Sequence, residues 1–137
     1  MKEIFRKGAF PTAPGKNIHR WEEADTTFEV AEDGYYVVAI TASAKNAAQK
    51  KSTDDDDLRA AIDDYEFGKH EAHQAKISWR GFGTAASWDG ASLKGGKKSV
   101  YFFVALEKGE HIIRFWADEK PTIHEITVSQ IERENGA

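Results

Sequence analysis

The sequence predicts an all-β fold, a single-domain antiparallel β-sandwich of the jelly-roll type, and three observations carry that expectation. Two blocks, Thr27 to Ala44 and Ser99 to Glu132, are runs rich in Val, Ile, Thr, Phe and Tyr. Alternate positions of these runs, such as Tyr36, Val38 and Ile40 or Val100, Phe102 and Val104, can line a core from one face of a pleated strand, and the positions between them are largely apolar too. The punctuation is short: Glu32-Asp33-Gly34 in the first block, then Lys108-Gly109 and a break from Asp118 to Pro121 in the second. Five strands joined by such turns read as antiparallel meanders.

Composition bounds the rest. At 137 residues, 40% hydrophobic and 31% charged, residues 1–137 read as one globular domain that can bury a core without disulfides or a structural metal. The absence of cysteine excludes a disulfide framework, a thiolate zinc site and a cysteine nucleophile. A net charge of −4 speaks against a nucleic-acid partner, which needs a basic face. No stretch approaches the roughly 20 apolar residues of a membrane span, so no membrane partner is expected. Lys2, Glu3, Arg6 and Lys7 interrupt the apolar run that a signal peptide needs. If the parent protein is exported, its signal lies outside this chain, as for a module of a larger multidomain protein. Residues 1–20 are expected to be loosely attached or to cover one sheet.

The middle of the chain supports two readings. Ser52 or Thr53 could cap a helix with acids in its first turn and Leu58, Ala61, Ile62 and Tyr65 at helical spacing. The same letters fit a hairpin in which Leu58, Ala60 and Ile62 point inward, Asp63-Asp64 turn, and Tyr65 to Phe67 return. Local propensity favours the helix; strands on both sides favour the hairpin, which is the expectation adopted. Lys45 to Thr53 reads as an exposed loop. Arg80 to Lys98, with glycines at 81, 83, 90, 95 and 96, reads as a long irregular connection of the kind that often carries function.

Taken in order, VAEDGYYVVAI, DLRAAIDDYEFG, ALEKGEHIIRFWAD and IHEITV resemble the carbohydrate-binding modules of the galactose-binding-like β-sandwich group, especially the calcium-using families six, thirty-five and thirty-six. The resemblance covers roughly residues 25 to 130 and rests on the order of generic pieces. A second resemblance is to the protective-antigen-type lectin domain, in which an acidic pair before a similar strand helps bind calcium; Asp56-Asp57 precede Leu58 here. These resemblances imply the hairpin, sugar binding, an extracellular or cell-surface location, and calcium as candidate cofactor. One position departs: His124 stands where family-six-like modules often carry an Asp that helps hold a structural calcium.

Three constellations could carry such a function. Sugars present apolar C–H faces ringed by hydroxyls, which proteins meet with a stacked aromatic and bidentate polar groups. In the stretch ISWRGFGTAASWDGASLKGG, Trp79 with Arg80, Phe82, and Trp88 with Asp89 supply those types, although Trp79 could equally end a core strand and Trp88 anchor the loop. Second, if Val100, Phe102, Val104, Ile113 and Phe115 face inward, then Tyr101, Phe103 and Trp116 form an outer aromatic face. It is either covered, for instance by the segment bearing Phe5, Phe10 and Trp21, or used. Third, Asp54 to Asp57 repel one another in a way a hard cation would relieve, with Asp55 and Asp57 alternating onto one side as the better calcium pair; a solvated loop is the plainer reading. His70 and His73 lack a third ligand at a telling spacing and read as surface residues. No nucleophile elbow, phosphate loop or dinucleotide fingerprint appears, so no enzymatic activity is expected. The expectation is a non-catalytic domain that targets or tethers a larger protein to a polysaccharide or oligosaccharide. The alternative is a structural or protein-interaction sandwich whose outer aromatics form an interface.

Overall fold

The computed structural model describes residues 1–11, 15–20, 26–51, 55–63, 65–66, 81–83 and 87–132; at 10–11, 15–20, 65–66, 81–83, 87, 116, 118 and 119 it describes the backbone. The strands are β1 (Lys2–Lys7), β2 (Phe10–Pro11), β3 (Gly15–Arg20), β4 (Thr26–Val30), β5 (Gly34–Ser43), β6 (Asp57–Ile62), β7 (Tyr65–Glu66), β8 (Gly81–Gly83), β9 (Ser87–Asp89), β10 (Lys97–Leu106), β11 (Gly109–Glu119) and β12 (Thr122–Gln130). Two four-residue helices, α1 (Ala47–Lys50) and α2 (Gly90–Leu93), complete the described elements. Neither is long or apolar enough to cross a membrane.

The strands form two antiparallel sheets packed face to face, so the all-β sandwich holds. The front sheet has the order β1-β12-β5-β10-β8, with β2 also on β12. The back sheet has the order β3-β11-β6-β7, with β4 also on β11 and β9 also on β6. The inward alternates close one core: Tyr36, Val38 and Ile40 on β5 and Val100, Phe102 and Val104 on β10 meet Phe28, Leu58, Ile62, Ile113 and Phe115 from the back sheet. Each such fully buried side chain contributes roughly 1.5–3 kcal/mol relative to exposure.

The meander expectation fails. β4 pairs with β11 rather than with β5, and β10 and β11 lie in opposite sheets. The short turns at 31–33, 107–108 and 120–121 therefore carry the chain across the core, giving jelly-roll connectivity rather than hairpins. Alternation dictates which face of a strand is buried but is silent on which strand lies beside it. The turns themselves are built for the crossing. Tyr36 Oη donates to the Glu32 carbonyl at 2.6 Å, and Asp33 Oδ1 accepts the Lys108 amide at 2.7 Å, tying the first turn to the second.

The hairpin holds. β6 pairs with β7 through Ile62 opposite Tyr65 and Ala61 opposite Glu66, and Leu58, Ala60 and Ile62 face the core. Asp63 takes a left-handed φ of 52° at the turn, a conformation Asp tolerates because its short side chain bonds nearby backbone. That carboxylate accepts the Ile112 amide at 3.1 Å. The N-terminal segment differs from its expectation: β1 and β2 are edge strands on β12 and β3 an edge strand on β11, so these three strands extend both sheets rather than lie across one. Satisfying the strand-edge amides and carbonyls of β12 and β11 is the physical gain. Two further segments read as irregular carry structure. Asn46 and Gln49 form a reciprocal capping box on α1, and the glycine-rich connection contains β8, β9 and α2.

One pole of the sandwich is closed by Asp56, 2% exposed. Its carboxylate accepts from the Lys45 amide at 3.1 Å, the Lys120 amide at 2.9 Å and Lys50 Nζ at 2.7 Å. Its own amide donates to the Lys45 carbonyl, and its carbonyl accepts from Gly90. One residue thus joins the β5–β6 connection, α1, the β11–β12 turn and the start of α2. Gly90 is held so closely that a Cβ there would overlap the Lys45 carbonyl and come within 2.7 Å of the Asp56 carbonyl oxygen. Asp56→Ala removes the carboxylate that compensates Lys50 and two amides, and urea unfolding should show a loss of about 3–5 kcal/mol. Asp56→Asn should fall between the two, and an alanine variant as stable as the parent would refute this role.

Candidate functional site

The glycine-rich stretch does not assemble a sugar site from Trp88 and Asp89. Trp88 sits on β9 opposite Leu58 of β6 and is 0% exposed. Its Nε1–H donates to the Lys98 carbonyl at 2.8 Å, which satisfies its one polar group inside the core. A ring with no exposed face cannot stack on a ligand, so Trp88 is corrected to a core residue. Asp89 is exposed but serves as the N-cap of α2, accepting from the Ala91 amide at 3.0 Å and Ser92 Oγ at 3.2 Å. Trp79 and Arg80 lie outside the described residues. Phe82 lies on β8, where the register sets it beside Phe103 at the edge of the front sheet.

The expected aromatic face divides between two sheets. Tyr101 and Phe103 are on the outer face of the front sheet; Trp116 is on β11 of the back sheet, in register with Arg20 and Arg59. The single face expected for Tyr101, Phe103 and Trp116 is therefore corrected, because β10 and β11 belong to different sheets. On the back sheet's outer face Ala61 is 1% exposed, and Arg114 Nε is buried without a hydrogen-bond partner, so that face is covered where they sit.

The front face is open at its aromatic rings, with Val37 buried between them. Ser99, Tyr101, Phe103 and Ala105 alternate outward along β10, and their cross-strand partners on β5 are Thr41, Ala39, Val37 and Tyr35. Tyr35 is 66% exposed, Tyr101 55% and Phe103 38%. Each tyrosine stands opposite an alanine, which leaves its ring uncovered from that side. Directly opposite side chains sit about 4.5–5.5 Å apart, so a larger residue there would pack on the ring. Thr127 and Ser129 of β12 border the patch beyond Ala39 and Val37, and Thr41 Oγ1 and Ser99 Oγ share a hydrogen bond of 2.7 Å at its upper end. Tyr35 is the contact candidate that reading from residue types passed over, although the alternation placing Tyr36 inward already places Tyr35 outward.

The acidic run is spent largely on local structure. Asp55 Oδ1 accepts the Ala47 amide at 2.6 Å, Asp56 is the buried tie, and Asp57 opens β6 in register with Asp89 and Asp118. Asp54, His70 and His73 lie outside the described residues. Among the described residues no group of three or more His, Asp or Glu side chains gathers as a metal site would require. His124 Nε2 lies 2.8 Å from Ser43 Oγ, and burial, with the Lys97 ammonium nearby, holds its pKa below the ordinary histidine value.

At the pole opposite Asp56, Asp63 Oδ2 meets His111 Nδ1 at 2.8 Å, and His111 Nε2 meets the Glu107 carbonyl at 2.7 Å. Both ring nitrogens face acceptors, so the pair pins the β6–β7 turn to β11 and offers no free nitrogen for proton transfer. Phe28 packs on this imidazole at 5.9 Å and on Phe5 at 5.7 Å.

Among known proteins the chain matches no family model, no curated protein and no solved structure.

Two outcomes follow from this placement. Trp88→Ala should lower stability by about 3–5 kcal/mol in chemical denaturation, as a deleted core aromatic does; a variant as stable as the parent would return Trp88 to the surface. For His124 the folded pKa is depressed, so the unfolded chain takes up a proton near about pH 6.5 while the folded one waits for lower pH. The neutral ring's contribution is therefore complete above about pH 6.5 and declines below it. The difference in melting temperature between the parent and His124→Gln, measured from about pH 8 to about pH 5, should drift in favour of the variant as pH falls. A constant difference would contradict it.

Proposed function

We propose that this protein is a non-catalytic carbohydrate-binding domain that tethers a larger protein to a polysaccharide outside the cell or at its surface, through the outer face of the front sheet. The observation that carries the reading is the row of exposed aromatics, Tyr35, Tyr101 and Phe103, on an ordered antiparallel sheet. Rigid strands hold these rings at fixed spacing; Tyr101 and Phe103 are two residues apart, about 7 Å along the strand. Rings held in this way stack on the C–H faces of sugars with little loss of side-chain entropy, and Thr127, Ser129 and Ser99 supply hydroxyls for the sugar's polar rim. The register brings Phe82 of β8 beside the same row.

Calcium enters this reading as an assistant at Asp55 and Asp57, and the titration that tests the function tests it as well. Isothermal titration against soluble polysaccharides, with calcium and again with chelator, should show binding that Tyr101→Ala and Tyr35→Ala each weaken by about tenfold, a loss of about 1.4 kcal/mol. Both variants should keep the parent's melting temperature, because the side chains are exposed. Binding abolished by chelator would support the calcium role, and indifference would remove the metal. Binding unmoved by both substitutions would displace the site. Silence across the panel, with light scattering reporting a stable dimer, would favour the interface reading, to which the exposed rings of Tyr35, Tyr101 and Phe103 lend apolar surface.

A further inference from the structure

We infer that the glycan held on this face carries free amino groups, as a polymer of amino sugars does, and is not a uronate-bearing or sulfated chain. The inference rests on the reading of the front face as a glycan site and names the chemical class that site selects.

Tyr35 and Ala105, the outward pair at the lower end of the β5–β10 ladder, also line an open cleft of about 1360 Å³ at the pole opposite Asp56. A chain stacked along Tyr101 and Phe103 and continuing past Tyr35 therefore runs into that cleft. Its carboxylates come from four separate places: Glu32 and Asp33 in the β4–β5 turn, Asp63 after β6, Glu107 after β10 and Glu132 after β12. Among the described residues that line it, against these five stand one lysine, Lys2, and His111, whose nitrogens already face Asp63 and the Glu107 carbonyl.

The carboxylates divide by duty. Asp33 holds the Lys108 amide, Asp63 holds His111 and the Ile112 amide, and Glu32 accepts from Gln130 Nε2. Those bonds fix the shape of the cleft and leave its negative charge in place. Glu107 and Glu132 are exposed, and their carboxylates make no hydrogen bond or ion pair among the described residues. A concave surface with a strong excess of one sign focuses its field, attracts the opposite charge and repels its own. An ammonium-bearing sugar meets complementary charge there, and a polyuronate meets repulsion. The stacking face supplies affinity for the ring, and the cleft chooses what the ring carries.

The test is isothermal titration at low salt with three probes: chitosan oligosaccharide, its fully N-acetylated counterpart and polygalacturonate, with polylysine as a control for bare charge. The parent protein should bind the free-amine oligomer at least about tenfold more tightly than the acetylated one and should ignore polygalacturonate. That preference should shrink in about 0.5 M salt, where the screening length falls below about 5 Å. It should also shrink in the double variant Glu107→Gln/Glu132→Gln, whereas Tyr35→Ala should weaken both oligomers alike. Equal affinity for the two oligomers, or tighter binding of polygalacturonate, would overturn the amino-sugar inference while leaving the glycan face standing. Polylysine bound as tightly as the oligosaccharide would overturn it too, by showing that charge alone is read. Silence toward all three glycans would sink the glycan reading and this inference together.

Discussion

Tyr36, Val38 and Ile40 of β5 and Val100, Phe102 and Val104 of β10 close the core from the front, and Leu58, Ile62, Trp88, Ile113 and Phe115 close it from the back. Because the side-chain period of a strand is two, committing these residues inward commits their neighbours outward. Tyr35, Tyr101 and Phe103 are exposed for no other reason than that Tyr36, Phe102 and Val104 are buried. The proposed binding face is the other side of the same packing. A one-residue slip of β10 against the core would put Phe102 in solvent and Tyr101 inside, so the stability of the sandwich and the position of the aromatic row are one constraint.

The two poles treat polar groups in opposite ways. At one, Asp56 gathers two amides and the Lys50 ammonium out of water, and Gly90 lets the chains approach too closely for any side chain. At the other, the carboxylates of Glu32, Asp33, Asp63, Glu107 and Glu132 surround open space. Buried and fully bonded, a carboxylate locks loops together; exposed around a concavity, carboxylates build a field. The same residue type thus closes one end of the molecule and leaves the other fit to receive a charged group.

Much of the fold was legible in the sequence because its signal is local. The inward positions of β5, β10 and β11 follow from alternation and turn residues, whereas the β6–β7 hairpin runs against local helix propensity and is read from the strands on either side and from the family resemblance. The neighbours of each strand were not legible. Nothing in GYYVVAI states that it lies between β10 and β12 rather than beside β4, and that gap split Tyr101 and Phe103 from Trp116. Trp88 misled for a related reason: beside glycines and an Asp it has a sugar-binder's composition, while its burial depends on a register with Leu58 that only the folded sheet creates. Asp56 has no local mark among four consecutive aspartates; its partners lie 11 residues before it at Lys45 and 64 after it at Lys120. The capping box of α1 was there to be read in Asn46 and Gln49.

The most direct test of the front face is to follow backbone amide and indole N–H shifts by nuclear magnetic resonance as a bound oligosaccharide is titrated in. Shifts gathered at residues 35–39, 101–105 and 127–131, with the Trp88 indole N–H unmoved in its bond to Lys98, are the expected result. Shifts gathered instead at residues 87–98, or a Trp88 indole signal that moves with the ligand, would contradict the assignment of the site to the front sheet.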